Sequence, residues 1–189
     1  MDEAARAAVD GLVIRARRDA DALGELYERH YPAVLRYCVH RLFCRDAAED
    51  ATSEVFLRVA KHIGSFPGRT ERDFVNWLYA IATNEANAVI RRSKRRRELL
   101  EAAVQQKRIH LAESTPQPDG VLDWPTLYEV IALLPQRDQA LITLRSFEQL
   151  PFEQVAEICG MKTATARVGF TRALGKLQKR LTSTDGRGS

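Results

Sequence analysis

Between Lys162 and Leu181 the charged residues are Lys162, Arg167, Arg172, Lys176, Lys179 and Arg180, with no acid among them. Such a segment has no covalent chemistry to offer. It can neutralise phosphates and donate hydrogen bonds to base edges. A second cluster, Arg91-Arg92-Ser93-Lys94-Arg95-Arg96-Arg97, carries the same charge. The whole chain has a formal net charge of only +4 over 189 residues, and residues 126–158 are net acidic. Two separated basic clusters in a balanced chain point to two contacts with a polyanion, each sensitive to salt.

The elements that must position the first cluster read as a helix-turn-helix. The stretch from Leu150 runs through Pro151 and Ile158 to Gly160, which suits a reversal needing positive φ. Val155 and Ala156 face inward, and the small Ala156 allows a close helix crossing. Thr163 is suited to cap the second helix. Ala166, Phe170, Ala173, Leu174 and Leu177 recur at three- and four-residue steps as its buried stripe. Lys162, Thr165, Arg167, Thr171 and Arg172 fall largely off that stripe, where a major groove is met. An amphipathic hairpin with a merely solvated basic face is the plainer alternative.

The second cluster closes a helix expected from about Asp73 to Arg97. Phe74, Trp77, Leu78, Ile81, Ala82 and Val89 bury one side, with Phe74 and Trp77 read as core. Asn76, Thr83, Asn84, Asn87 and Arg91 line another. The preceding loop, marked by Gly64, Pro67 and Gly68, is expected to expose Phe66. Amides that bond base edges, cations that hold phosphates and an aromatic ring that stacks suit single-stranded bases.

Upstream, Leu23, Leu26, Tyr27, Tyr31, Val34, Leu35, Cys38, Leu42 and Phe43 mark one long amphipathic region that Pro32 kinks or interrupts. Asp46 and Glu49 resemble a capping box with Asp46 as the cap. The helix they open buries Ala51, Val55, Phe56, Val59 and Ile63, and it carries Glu49, Asp50 and Glu54 in its first half, where the helix dipole favours them. Capping and solubility are a sufficient account of those acids by themselves. Residues 114–120, Ser-Thr-Pro-Gln-Pro-Asp-Gly, have linker composition. Leu99 to Leu111 is open to helix, and helical periodicity resumes at Leu127, with Pro135 placed to start a helix. No strand pattern and no fixed-period repeat is visible.

No apolar run approaches the roughly 18 residues that cross a bilayer. The first residues lack a signal-peptide core. Three cysteines argue against a disulfide framework and for a reducing cytoplasm. Cys38, His40 and Cys44 lack a fourth ligand, so no metal and no cofactor is expected. No Gly-rich phosphate loop, nucleophile–base pairing or small-molecule substrate site is recognisable, which weighs against an enzyme.

The order of these parts resembles an extracytoplasmic-function sigma factor, the minimal two-domain class of bacterial RNA polymerase sigma subunits. Residues 21–31 (DALGELYERHY) look like the family's first conserved helix, 46–59 (DAAEDATSEVFLRV) like its polymerase-clamp helix, and 74–84 (FVNWLYAIATN) like the segment that melts and reads the minus-ten element. Residues 134–141 (LPQRDQAL) with the helix-turn-helix look like the minus-thirty-five reader. The resemblance implies an all-α fold of two small helical domains joined by a flexible linker. It implies a region 2 domain over 1–97, a linker over 98–125, a region 4 domain over 126–183 and a disordered tail over 184–189.

The resemblance also implies roles. Asp46, Glu49, Asp50 and Glu54 would meet the clamp helices of core RNA polymerase, and the C-terminal domain its flap. Phe66, Asn84, Asn87, Arg91 and Arg92 would hold the minus-ten element. Lys162, Thr165, Arg167, Thr171 and Arg172 would hold the minus-thirty-five element. Partners would be core polymerase, promoter DNA and an anti-sigma factor. The protein would be cytoplasmic, nucleoid-associated when bound to polymerase, without membrane insertion and without catalysis of its own. A two-domain regulator acting without polymerase is the alternative within DNA binding. Against the family pattern, the 66–77 loop is about two residues longer. Ser53 stands where glutamine is common, Pro151 where a capping serine is usual, and Val168-Gly169 where Ser-Arg is typical.

Overall fold

The computed structural model describes residues 10–107 and 124–185. Among the described residues eight α-helices follow one another: α1 (residues 10–15), α2 (Ala20–Leu42), α3 (Arg45–His62), α4 (Glu71–Lys107), α5 (Trp124–Ala132), α6 (Gln136–Ile142), α7 (Phe152–Ile158) and α8 (Thr163–Asp185). A 3₁₀ turn at Ile63–Ser65 follows α3, and a π turn at Thr143–Phe147 continues α6. No strand occurs among the described residues. The all-α expectation holds. The expected tail at 184–189 lies mostly outside the described residues, as does the Pro-rich part of the expected linker.

The apolar stripes largely bury as their periodicity requires. Leu26, Val34 and Cys38 of α2, Val55, Phe56 and Val59 of α3, and Phe74, Leu78 and Ala82 of α4 interdigitate in one core. Each large side chain so buried contributes about 1.5–3 kcal/mol of transfer free energy. Tyr27 remains substantially exposed, with its ring against Tyr31 and Phe56. α2 runs through Pro32 without a break, because the proline sits on the exposed side of the helix.

Three local expectations are corrected. Cys44, not Asp46, occupies the N-cap of α3, and it makes no side-chain cap bond. Glu49 instead accepts from Arg45 Nε at 2.8 Å, so the Asp46–Glu49 box does not form. α4 begins at Glu71, ahead of Asp73, because Thr70 Oγ1 accepts the Asp73 N–H at 3.1 Å while Asp73 Oδ2 accepts the Thr70 N–H at 3.1 Å. That reciprocal pair is the true capping box. Asp73 Oδ2 also accepts the Arg69 N–H at 3.0 Å, and that bond first, with those to Thr70, holds the carboxyl below its ordinary value. α4 also continues past Arg97 to Lys107 as one helix. Finally, Leu174 is 39% exposed rather than buried. Ala166, Ala173 and Leu177 carry the inner face of α8.

The two halves share a core. Leu141, Leu144, Val155, Ala156 and Ile158 of the C-terminal half join the cluster built by α1 to α4. A smaller cluster, Val130, Ile131, Leu134, Ile142, Ala173 and Leu177, receives Phe43 from the end of α2. Phe43 sits at φ 53°, in the left-handed region that non-glycine residues avoid. Its ring lies 5.2 Å from that of Tyr128, so packing against the C-terminal half offsets the strain.

Candidate nucleic-acid and polymerase interfaces

The helix-turn-helix is built as its residues require. Gly160 has φ +62°, and the Met161 N–H returns to the Ala156 carbonyl at 2.8 Å, which closes α7 and aims the chain into α8. Ala156 and Ala166 are buried at the junction. Thr163 is already helical, so the cap position falls to Lys162. Pro151 caps α7 without a side-chain bond.

All five residues expected at the distal element, Lys162, Thr165, Arg167, Thr171 and Arg172, are exposed. They divide between two faces. Arg167 donates to Glu153 at 3.0 Å and lies 5.2 Å from the Phe152 ring centre, with Thr171 one turn on. Thr165 and Arg172 line a shallow groove between α6 and α8 with Val168, Gly169, Arg137 and Lys176. An ideal Cβ at Gly169 would come 2.9 Å from Leu141 Cδ1, so this glycine permits the close crossing of α6 and α8.

Along α4, Asn84, Arg91 and Arg92 face solvent. Asn87 does not stand free. Its Oδ1 accepts from Arg41 at 2.5 Å, and its carbonyl accepts from Gln136 of the C-terminal half at 3.5 Å. Asn76 and Thr83, expected on the same polar face, are buried. Asn76 donates to Glu157 at 2.7 Å, and the Thr83 and Tyr37 hydroxyls are 2.8 Å apart.

Phe66 is not exposed. Only 7% of its surface is accessible. Its ring stacks on Trp77 at 4.6 Å and 19°, with Phe74 edge-on. Phe74 is wholly buried and Trp77 partly so. The loop folds inward because Arg17 donates to the Gly68 carbonyl and Asp10 accepts the Glu71 N–H at 2.7 Å. Gly68 has no room for a side chain: a Cβ there would press into the Phe66 ring and lie 2.5 Å from Asp73 Cβ.

On α3, Asp46, Asp50 and Glu54 are exposed and Glu49 is half-buried. Glu49 and Glu54 pair with Arg45 and Arg58 along the same helix, pairings worth a few tenths of a kcal/mol. Arg58 also reaches Glu85 of α4 at 2.9 Å. Asp50, Glu54, Arg58, Glu85 and Arg92 line one groove, so the acidic face of α3 abuts the basic run of α4. The three cysteine and histidine residues that lie close in sequence do not act together. Burial pushes the Cys38 thiol up to about 11, Cys44 is exposed, and the His40 ring packs on Phe147.

A polar network between the halves had no local sequence signal. Glu148, with its side chain 1% exposed, accepts from Arg36 Nη2 at 2.7 Å and from the Tyr79 hydroxyl at 2.9 Å. His40 Nδ1 lies 3.8 Å from its other oxygen. Burial alone would raise this carboxyl, but His40, Arg36 and Tyr79 together hold it below its ordinary value. Arg41, 1% exposed, donates to Gln139 at 2.6 Å as well as to Asn87.

Residues 26–96 match the family model for Sigma-70 region 2, and residues 126–177 match that for Sigma-70, region 4. The chain is 32% identical over 174 residues to the ECF RNA polymerase sigma factor BldN of Streptomyces coelicolor, covering 90% of this chain and 64% of BldN. It is 26% identical to RNA polymerase sigma factor YlaC of Bacillus subtilis, covering 87% of this chain and 94% of YlaC. It therefore spans under two thirds of BldN and nearly the whole of YlaC. Two solved structures share the fold. One is the sigma factor RpoE in complex with the anti-sigma factor NepR from Bartonella quintana, with a TM-score of 0.61 and 22% identity over 84% of this chain and 96% of that one. The other is CnrH in complex with the cytosolic domain of CnrY, with a TM-score of 0.66 and 19% identity over 93% and 98%. With both sigma regions in family order and the likeness extending along the chain, this protein belongs to the sigma-70 family, in its extracytoplasmic-function class.

Proposed function

We propose that the chain directs promoter-specific initiation by core RNA polymerase. The observation that carries this is the placement of two separate exposed polar and basic surfaces on one chain. One is Asn84 with Arg91 and Arg92 on α4. The other is the outer side of α8. A duplex-only regulator needs the second and has no use for the first.

In this reading the exposed acids of α3 dock on the clamp of the polymerase, Asp46 and Asp50 foremost because no ion pair along their own helix engages them. Asn84 contacts non-template bases of the minus-ten element, and Arg91 and Arg92 hold the neighbouring phosphates. Asn87 backs this surface from within, its Oδ1 held by Arg41 of α2. Phe66 supports this surface from beneath, as a ring stacked on Trp77. Lys162, Thr165, Arg167, Thr171 and Arg172 hold the minus-thirty-five element. The sigma family is a non-catalytic part of RNA polymerase, so activity arises only in the complex. No described helix is long and apolar enough to cross a membrane, in keeping with action in the cytoplasm. An anti-sigma factor is the proposed regulator, since a sigma factor of the same fold is bound by one.

The test is co-purification with core polymerase followed by run-off transcription. Binding with promoter-dependent transcripts is the expected result. Failure to bind core, with retained binding to duplex DNA, would instead establish a polymerase-independent regulator.

A further inference from the structure

The recognition surface of α8 contains a residue that neither phosphate contact nor hydrogen bonding explains. Val168 is 50% exposed on a helix whose outer side also presents Thr165, Arg167, Thr171 and Arg172. One turn before it stands Ala164, and beside it Gly169, so no hydrogen-bonding side chain is supplied at these three positions. Leu141 forms the apolar floor of the groove behind them. Thr165 lies three residues before Val168 and Arg172 one turn after.

The position of Val168 is set by packing. Gly169 lets α8 approach Leu141 so closely that a Cβ would have to displace it. Arg137 and Arg172 flank the groove with positive charge. The acid in that lining, Asp138, is neutralised by Lys176 at 2.6 Å. An apolar spot flanked by cations complements an apolar group inside a polyanion. On the major-groove edge of unmodified duplex DNA, the apolar group is the 5-methyl of thymine.

We propose that Val168 reads a thymine in the distal promoter element through contact with its 5-methyl group. This rests on the promoter-reading function above and names one determinant of its specificity. Where Ser-Arg is typical of the family, hydrogen bonding and charge are available. Here Val-Gly replaces them with a shape and methyl test.

The experiment uses the full chain assembled with core polymerase. Duplexes carrying a randomised distal segment are selected by binding, and the winners are resynthesised with deoxyuridine in place of each thymine in turn. Deoxyuridine pairs identically and lacks only the methyl. The expected result is thymine enrichment at one position, where deoxyuridine lowers affinity about fourfold, the worth of one buried methyl-sized group. Val168→Ser, a surface change, is expected to bind thymine and deoxyuridine duplexes equally. Indifference of the unaltered protein to deoxyuridine, absence of an enriched thymine, or retained methyl discrimination in Val168→Ser would each overturn the assignment. If the assembled protein still drives run-off transcription from the selected duplexes, only the Val168 assignment falls. If it neither binds core nor initiates, the promoter-reading function falls with it.

Discussion

Glu148 Oε2 of the C-terminal half lies 2.7 Å from Arg36 Nη2 of the N-terminal half, across 112 residues of sequence. The carboxylate, directly after the π turn, is buried, while the Arg36 side chain keeps half its surface in water. An acid so enclosed is tolerable only with donors on more than one side, which Tyr79 completes. The pair therefore ties the docking of the two halves to one side chain.

Glu148→Ala is expected to lower stability by about 2–3 kcal/mol, the usual worth of hydrogen bonds to a buried charge. Glu148→Gln, which keeps an acceptor, is expected to lose less. Urea unfolding reads the difference. Amide hydrogen exchange should quicken in the π turn at Thr143–Phe147 more than in α3, because the turn loses its ties to Arg36 of α2 and Tyr79 of α4. Unaltered stability in Glu148→Ala would mean that the network has no net value.

Acid weakens the fold in two stages. Burial, with Arg29 nearby, lowers His30 from 6.5 to about 4. The unfolded chain therefore takes up a proton near pH 6.5 that the folded chain refuses. The contribution of His30 is full above that pH and is lost as the pH falls toward 4, amounting to about 2–3 kcal/mol. Glu148 adds to the loss lower down, since its folded value lies below the ordinary 4.5 and its contribution disappears as the pH falls through that folded value. His30→Leu is expected to flatten stability between pH 6.5 and 4.5, measured by urea unfolding at several pH values. An unchanged slope would assign the acid sensitivity elsewhere.

Gly68→Ala is expected to cost about 1–3 kcal/mol through overpacking. The new methyl group would meet the Phe66 ring and Asp73. Because Phe66 stacks on Trp77, the near-ultraviolet circular dichroism of the tryptophan should change as the melting temperature falls. A stable variant with the unaltered spectrum would show that the loop yields without moving the ring.

Asn84→Ala is expected to reduce open-complex formation on duplex promoters while core binding stays intact. A template with the minus-ten bases already unpaired should recover part of the loss, since unstacking a base costs a few kcal/mol. Permanganate footprinting measures the melting. Equal loss of core binding would remove Asn84 from the melting surface.

Much of the candidate site was legible because its signals are short-range. Gly160 needs only its own φ, the stripe of Ala166, Ala173 and Leu177 needs only helical period, and the exposure of Lys162, Arg167 and Arg172 follows from falling off that stripe. The burial of Phe66 has no local signal, because its loop lacks periodicity. Its burial depends on Arg17, Gly68 and Trp77, which meet only in the fold. At Asp46 a local capping pattern is present, but the helix begins one residue earlier, at Arg45, and places Asp46 in its first turn.

The sequence by itself determined the helices, the turn that joins α7 to α8 and the two basic clusters, since propensity, periodicity and turn chemistry act within a few residues. The tertiary structure decided how the halves meet. Arg36 and Glu148 are 112 residues apart, Arg41 and Gln139 are 98, and Asn76 and Glu157 are 81. Such pairs are formed by the packing of shared apolar surface, which brings polar groups together only after the chain has closed long loops around it.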